Sequence, residues 1–520
     1  MRKLLILSLQ VAALLGFCAC GGGGGNEIAG GGGTEYPAYS TYAAQCAVPR
    51  RGIDPSTGTA YPDRVGSTTA ENRWLRSWTH DLYLWYSEVT DVNPASVSTT
   101  AAYFDLMKTK AKLPSGQDKD RFHFTYDTAQ WEALQNGESV GYGLLWKDDV
   151  ANQIFVQFAE AGSPAAQAGV KRGDEVLSVD GVDVHTVATT SGVDTLFEGL
   201  YPAAANEMHT FVFADRNGGS NYTRTLTATN FISNPVPVTT LLNTPGGKVG
   251  YLLFNSHDLP AESELRDAIN SFKNANVADL VLDLRYNGGG ELFIASQLAY
   301  MIAGPTATNG KIFERTQFND QHPNADPVTG DPLTFPFLDV TSGLGSLPSN
   351  QALPWLGFTR VYVLTGGGTC SASESIINSL RGIGISVYQI GGDTCGKPYG
   401  FYPADNCGTT YFSIQFQGVN NLGFGDYPEG FSPKRTDIAA GAQLPGCAVA
   451  DDLDHELGSS SEGQLVAALN YRATGACPAA PAGLAKVQVE SAEMREGAAA
   501  AWHRPPQPWR DNRFLRRPRG

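Results

Sequence analysis

Three short stretches hold residue types that could carry out acyl transfer. The first, "GGGTCSASESIINSL" from Gly366 to Leu380, sets two small hydroxyl residues, Ser371 and Ser373, between a glycine run and a helix-like pattern. Such a run is either a loop that caps a helix or a nucleophile presented at a helix start. The second, "GDTCGK" from Gly392 to Lys397, ends on a lysine followed by Pro398, Tyr399, Gly400 and Phe401. A serine hydroxyl needs a base to take its proton, and a lysine serves if burial keeps its amine neutral. The small, aromatic and apolar neighbours of Lys397 suit a desolvated lysine. The third stretch, "LDLRYNGGG" from Leu282 to Gly290, supplies a turn whose backbone can approach a substrate carbonyl without Cβ clashes. N–H groups in such a turn, and at a helix N-terminus, stabilise an acyl-transfer oxyanion.

These segments must be held by regular elements, and the surrounding pattern provides them. "KVGYLLFNS" reads as a strand, "ESELRDAINSFKNAN" as an amphipathic helix and "ADLVLDLRYNGGG" as a buried strand ending in glycines. "ELFIASQLAYMIAG" (helix), "TRVYVLTGGG" (strand), "SASESIINSLRG" (helix) and "ISVYQIGG" (strand) continue the alternation. Strands alternating with helices predict a βαβ-layered architecture, in which sites gather at the carboxyl ends of strands. Both glycine-rich endings fall there. Upstream, "ENRWLRSWTHDLYLWYSEV" places Trp74, Leu75, Trp78, Leu82 and Trp85 at helical spacing, with Asn72 or Thr69 as candidate caps. "AAYFDLMKTK" predicts a second, shorter helix. His80 and His123 in this region are read as structural.

The chain ends carry different signals. "MRKLLILSLQVAALLGFCAC" has Arg2 and Lys3, an apolar run too short to span a bilayer comfortably, and a small residue before a cysteine. A flexible glycine tether, "CGGGGGNEIAGGGGT", follows. The block resembles a bacterial lipoprotein signal with Cys20, after Ala19, as the lipidated residue; bulky Phe17 before Cys18 disfavours that alternative. The −3 position relative to Cys20 is Phe17, where such signals usually carry Leu. "AWHRPPQPWRDNRFLRRPRG" lacks apolar periodicity and predicts a disordered basic tail. A net charge of −15 argues against nucleic acid as a partner. Without the leader, Cys46, Cys370, Cys395, Cys407, Cys447 and Cys477 remain, enough for three disulfides in an oxidising compartment. No CxxC or His-rich spacing suggests a metal.

Residues 139 to 230 alternate β-rich runs with Gly and Asp turns. Gly162-Ser163-Pro164-Ala165-Ala166, Ala168-Gly169-Val170, Gly173-Asp174 and Val179-Asp180-Gly181 together resemble a PDZ domain. Tyr142, Gly143, Leu144 and Leu145 stand where that family's carboxylate-binding loop would be; there a peptide adds a strand to the sheet. "LDLRYNGGG", "SASE" and the lysine 26 residues after Ser371 resemble the C-terminal processing peptidases, or tail-specific proteases, which use a Ser–Lys dyad. The resemblance implies a mixed α/β multidomain chain. Its parts would be a lipoprotein-type signal (1–20), a Gly-rich tether (21–43), an N-terminal helical region (44–135), a β-rich PDZ domain (136–232), a βα-layered peptidase core (233–480) and the basic tail (481–520).

Carried over position by position, the resemblance makes Ser371 the nucleophile, Lys397 the general base, and the Gly289 and Ala372 N–H groups the oxyanion donors. Ser373 and Glu374 then start the helix. It implies a serine endopeptidase with no metal or cofactor that recognises protein or peptide substrates by their free C-termini. Membrane contact would be through the lipid anchor alone, on the periplasmic side of a Gram-negative-type envelope and most naturally at the outer membrane. Two departures stand out. The family's glutamine four residues after the lysine is Phe401 here, with Gln415 or Gln417 as candidate substitutes. Cys370 and Cys395 flank the dyad, which implies a disulfide bracing it. Three rival readings remain. One is a Ser–His–Asp triad through His257 and Asp258, since related tricorn-type proteases use a histidine. Another is a non-catalytic, PDZ-containing envelope binding protein with a protease-like core. The third is a structural or scaffold protein tethered in the envelope, which leaves the coincidence of the three motif segments unexplained.

Overall fold

The computed structural model describes residues 36–148, 153–216 and 218–478, and the backbone of Arg513 and Phe514. The predicted signal, tether and Cys20, and the basic tail apart from those two residues, lie outside the described residues. Among the described residues no helix is long and apolar enough to cross a membrane.

Helix α1, Thr68–Leu82, is capped by Ser67, whose hydroxyl accepts the Ala70 N–H. Asn72 is therefore interior, and its amide donates to the carbonyls of Pro94 and Val97. Trp74, Leu75, Trp78 and Leu82 are buried on one face, packed with Tyr103, Phe104 and Tyr411. Trp85 falls beyond the helix, because Tyr83 turns extended and Leu84 N–H donates to Ile414 O instead of continuing the helical ladder. This N-terminal region is stitched to the core rather than resting on it. Phe124–Asp127 pairs antiparallel with Thr409–Phe412, and a disulfide joins Cys46 to Cys407.

Next comes an antiparallel sheet. Its strands are β1 (Leu144–Asp148), β2 (Ile154–Ala159), β3 (Glu175–Val179), β4 (Met208–Ala214) and β5 (Tyr222–Thr227). They lie in the order β5-β4-β3-β2-β1, so β1 is an edge. Helix α2, Thr190–Leu200, buries Leu196 and Leu200 with Val156, Val176, Phe211 and Phe213.

The remainder is a layered α/β core. Strands β6 (Val238–Leu242) and β7 (Val249–Leu253), helix α3 (Ala261–Asn274), strand β8 (Asp279–Asp283) and helix α4 (Leu292–Thr308) come first. Strand β9 (Arg360–Thr365), helix α5 (Ala372–Gly382), strands β10 (Ser386–Gly391) and β11 (Gly446–Cys447) and helix α6 (Gly463–Thr474) complete it. The sheet order follows the chain, β6 to β11, with β6 antiparallel to β7 and the others parallel. Side chains alternate across the sheet, as period-two strands must. Leu280 and Leu282 pack with Leu265, Ile269, Leu298, Ile376 and Leu380 of α3, α4 and α5. Val281, Tyr362 and Leu364 face the opposite side, with Leu465 and Ala468 of α6. Burial on both faces explains why β8 and β9 read as continuous apolar runs.

The antiparallel domain is tied to this core at several points. Leu145 packs with Tyr286, just past β8. Arg172 donates to Asp451 Oδ1 at 2.6 Å, to Tyr286 Oη at 2.5 Å and to His455 O at 3.0 Å. Arg285, buried beside them, pairs with Asp283, Asp451 and Glu462. Burial alone would raise the Asp451 carboxyl, but Arg172 and Arg285 hold it down at about 2. The antiparallel domain is thus anchored at the residue that leads into the glycine turn.

Candidate active site

The three sequence stretches meet at the carboxyl ends of β8, β9 and β10. Ser371 precedes α5 in a strained backbone conformation, φ 59° and ψ −114°. Positive φ costs a non-glycine residue roughly 1 kcal/mol or more, and such strain gathers at functional positions. The turn is held by Cys370 N–H and Ser373 Oγ, which both donate to Asn287 O, at 3.0 and 2.9 Å. Ser373 therefore ties the helix start to the glycine turn. Ser371 is fully buried, and its Oγ has no hydrogen-bond partner.

The main chain of Lys397 is tied to that of Ser371 through the side chain of Glu374. Glu374 Oε2 accepts Ser371 N–H at 2.9 Å and Lys397 N–H at 2.8 Å, while Oε1 accepts Gly396 N–H at 2.9 Å and Thr394 Oγ1 at 2.5 Å. Burial pushes the Glu374 carboxyl up, and these four donors oppose that shift. Cys370 and Cys395 form a disulfide with Cα atoms 5.1 Å apart, and Cys395 N–H donates to Thr369 O at 3.0 Å. The Ser371 turn and the Lys397 loop are thus joined by a shared carboxylate, a covalent bond and a main-chain bond. The sequence marks Glu374 only as a residue at the start of a helix. Its role as the junction of both segments is non-local, and only the "SASE" motif hinted at it.

The glycine turn is packed against His257. Gly290 has φ 134°, and a Cβ there would meet His257 O at 2.8 Å, so only glycine fits. Gly289 N–H donates to Asn287 Oδ1 at 3.0 Å, so in this state it is engaged within its own turn. Ala372 N–H is the first of α5, where no intrahelical carbonyl can meet it. The backbone of Arg513–Phe514 pairs parallel with Gly290–Glu291 at the edge of the same turn.

His257 is fully buried, and burial pushes its imidazole down to about 3. Its Nδ1 lies 2.9 Å from Asn287 Oδ1, so an amide rather than a carboxylate backs the ring. That arrangement lacks the acid of a Ser–His–Asp triad. Asp258 faces Ser233 Oγ at 3.5 Å, and its Oδ1 is buried without a partner. Burial, together with the charge of Glu264, pushes the Asp258 carboxyl up to about 7. Between about pH 4 and 7 the folded state keeps a proton that the unfolded chain has lost, so stability falls as pH rises through that window. Asp258→Asn is expected to flatten much of this fall and to raise stability above pH 7 by on the order of 1–3 kcal/mol. Glu264, also pushed up to about 7 by burial, keeps part of the slope. Chemical denaturation at pH 5 and pH 8 measures both; a variant less stable than wild type at pH 8 would refute the assignment.

Tyr142 and Gly143 lead into edge strand β1, whose first two residues are Leu144 and Leu145. Gly143 has φ 74°, and a Cβ there would lie 2.3 Å from Ser163 Cβ. Gly143 O accepts Glu160 N–H at 2.8 Å, and Tyr142 O accepts Ala165 N–H at 3.1 Å. These residues line a cavity of 340 Å³ with Leu200, Tyr201, His257 and Glu291, so the loop and the glycine turn open onto one space. An edge strand beside a helix end is the geometry into which an extended peptide adds.

Residues 248–400 match the family model described as Peptidase family S41, and residues 159–193 match a PDZ domain. Carboxyl-terminal-processing peptidase 2, chloroplastic, of Arabidopsis thaliana is 30% identical over 30% of this chain and 29% of its own. The carboxyl-terminal-processing proteases of Synechocystis and Picosynechococcus are 28% and 25% identical, over 31% and 50% of this chain and 37% and 55% of theirs. The chain therefore spans about a third to a half of the length of these relatives. The crystal structure of a candidate S41 protease from Bacteroides fragilis superposes with a TM-score of 0.56 at 22% identity, covering 80% of this chain and 98% of that one, which shows the fold. The core, residues 248–400, thus matches peptidase family S41, with a PDZ-domain match at residues 159–193 ahead of it.

Proposed function

We propose that the protein is an exported serine endopeptidase that captures protein C-termini in its PDZ domain and cleaves through an acyl-enzyme on Ser371. The observation that carries this reading is the shared Glu374 carboxylate, which accepts the main-chain N–H groups of both Ser371 and Lys397. Lys397 Nζ takes the hydroxyl proton as Ser371 Oγ attacks the scissile carbonyl, and returns it to the leaving amine; water then releases the acyl group. The oxyanion is received by the N–H groups of Ala372 and Gly289. The latter must exchange its bond to Asn287 Oδ1 for the substrate oxygen, so substrate entry and assembly of the oxyanion hole are coupled.

Export is supported by the leader-like N-terminus and by disulfides Cys46–Cys407, Cys370–Cys395 and Cys447–Cys477, which suit an oxidising compartment. Anchoring at Cys20 would place the enzyme on the periplasmic face of the envelope. The test pairs two measurements on the full chain. A serine-directed organophosphorus reagent should label Ser371 by peptide mapping, and peptides with a free apolar C-terminus should be cut faster than their amidated forms. Absence of both labelling and cleavage would leave the non-catalytic binding protein as the reading.

A further inference from the structure

Lys397 Nζ lies 4.7 Å from the ring centroid of Phe122 and 4.6 Å from that of Phe401. Phe401 occupies the position where the family resemblance leads one to expect a lysine-orienting glutamine. The two glutamines proposed as substitutes are committed elsewhere. Gln415 exchanges hydrogen bonds with the backbone of Tyr402, both at 3.2 Å, and Gln417 donates to Gly425 O at 2.8 Å. Phe122 comes from the N-terminal region, which clamps the lysine loop. Arg121 Nη2 donates to Cys395 O at 3.1 Å and to Pro428 O at 3.3 Å. Phe122 N–H donates to Asp120 Oδ1 at 2.9 Å, and Tyr83 Oη donates to Asp120 Oδ2 at 2.7 Å.

Resting on the peptidase reading, we propose that Phe122 and Phe401 are the positioning residues of the general base, an aromatic cradle that stands in for the missing amide. A ring face attracts an ammonium group through its quadrupole and constrains where the Nζ can sit. It also favours the protonated lysine, against burial, which favours the amine. The rings therefore set the pH at which the base becomes available, and the N-terminal region becomes part of the catalytic site rather than a cap upon the core. Among the described residues, the other charged or titratable groups around the lysine loop are Glu374 on α5, Arg121, Asp118 and Asp120 from the N-terminal region, Tyr399, and Asp426 and Glu429 from the following loop. Arg121 also lies 5.3 Å from the Phe122 centroid, so it competes for that ring.

The test follows the 13C-labelled side-chain resonance of Lys397, assigned with Lys397→Gln, against pH, alongside the pH profile of kcat/KM. Phe122→Leu and Phe401→Leu should each lower the lysine's midpoint by about half a unit to one unit. The acid limb of kcat/KM should move with it, and kcat on the plateau should fall about tenfold while KM stays near wild type. Phe122→Tyr, which keeps the ring, should restore both. A Lys397 midpoint unchanged in Phe122→Leu, or not restored by Phe122→Tyr, overturns the cradle. A shifted midpoint in a protein that cleaves nothing at any pH sustains the cradle and sinks the peptidase reading instead.

Discussion

Ser371→Ala is expected to abolish cleavage while leaving the fold as stable as before, or more so. Loss of a serine nucleophile typically removes about 10⁴- to 10⁶-fold of turnover, leaving only what the oxyanion donors and binding provide. Stability should move the other way. Ser371 Oγ is buried without a hydrogen-bond partner, and an unsatisfied buried hydroxyl costs about 1–3 kcal/mol. A methyl group of similar size removes that cost without opening a cavity. Ser371→Gly should stabilise further, because it also relieves the positive φ of 59°. The measurement is thermal unfolding beside kcat/KM for the three proteins. Retained cleavage within tenfold would remove Ser371 as nucleophile, and a Tm several degrees below wild type would show that its hydroxyl has a structural partner.

The order of the core elements was legible because each strand–helix unit carries its own local signal. The apolar runs ending at Asp283, Thr365 and Gly391 are strands buried on both faces, and the 3.6-period stretches between them are the covering helices. The antiparallel domain was likewise readable from short motifs, through their resemblance to a PDZ domain. What stayed hidden depends on chain segments far apart in sequence. Trp85 left its helix for a tertiary bond between Leu84 and Ile414, which no window around residue 85 contains. The engagement of Gly289 N–H by Asn287 belongs to a particular state of the turn, not to its composition. Phe122 reads as one more aromatic in an aromatic-rich region until the fold carries it to Lys397, 275 residues on. His257 shows the converse limit. A histidine followed by an aspartate after a core strand suits a triad, yet the fold buries the ring against Asn287 and turns Asp258 toward Ser233.

Glu374→Ala should be the most damaging single change that touches neither proposed reacting group. It strands three buried N–H groups, those of Ser371, Gly396 and Lys397, and the Thr394 hydroxyl. Unmet buried donors of this kind predict a loss of about 3–5 kcal/mol, and water entering the vacated space would recover part of it. Glu374→Gln keeps the shape but turns an NH2 group toward two donors at one end, so it should rescue stability only in part. In both variants kcat should fall at least about 100-fold with KM nearly unchanged, since a displacement of roughly 1 Å between nucleophile and base is enough for that. The disulfide between Cys370 and Cys395 is the second tie across the same gap, so the two should not act independently. Replacing both cysteines by alanine in the wild-type background should slow turnover modestly, because the carboxylate still joins the segments. In the Glu374→Gln background the same replacement should cost more than the separate losses predict. Strict additivity in that double-mutant cycle would mean that carboxylate and disulfide brace different things, and that the dyad is held by some other contact.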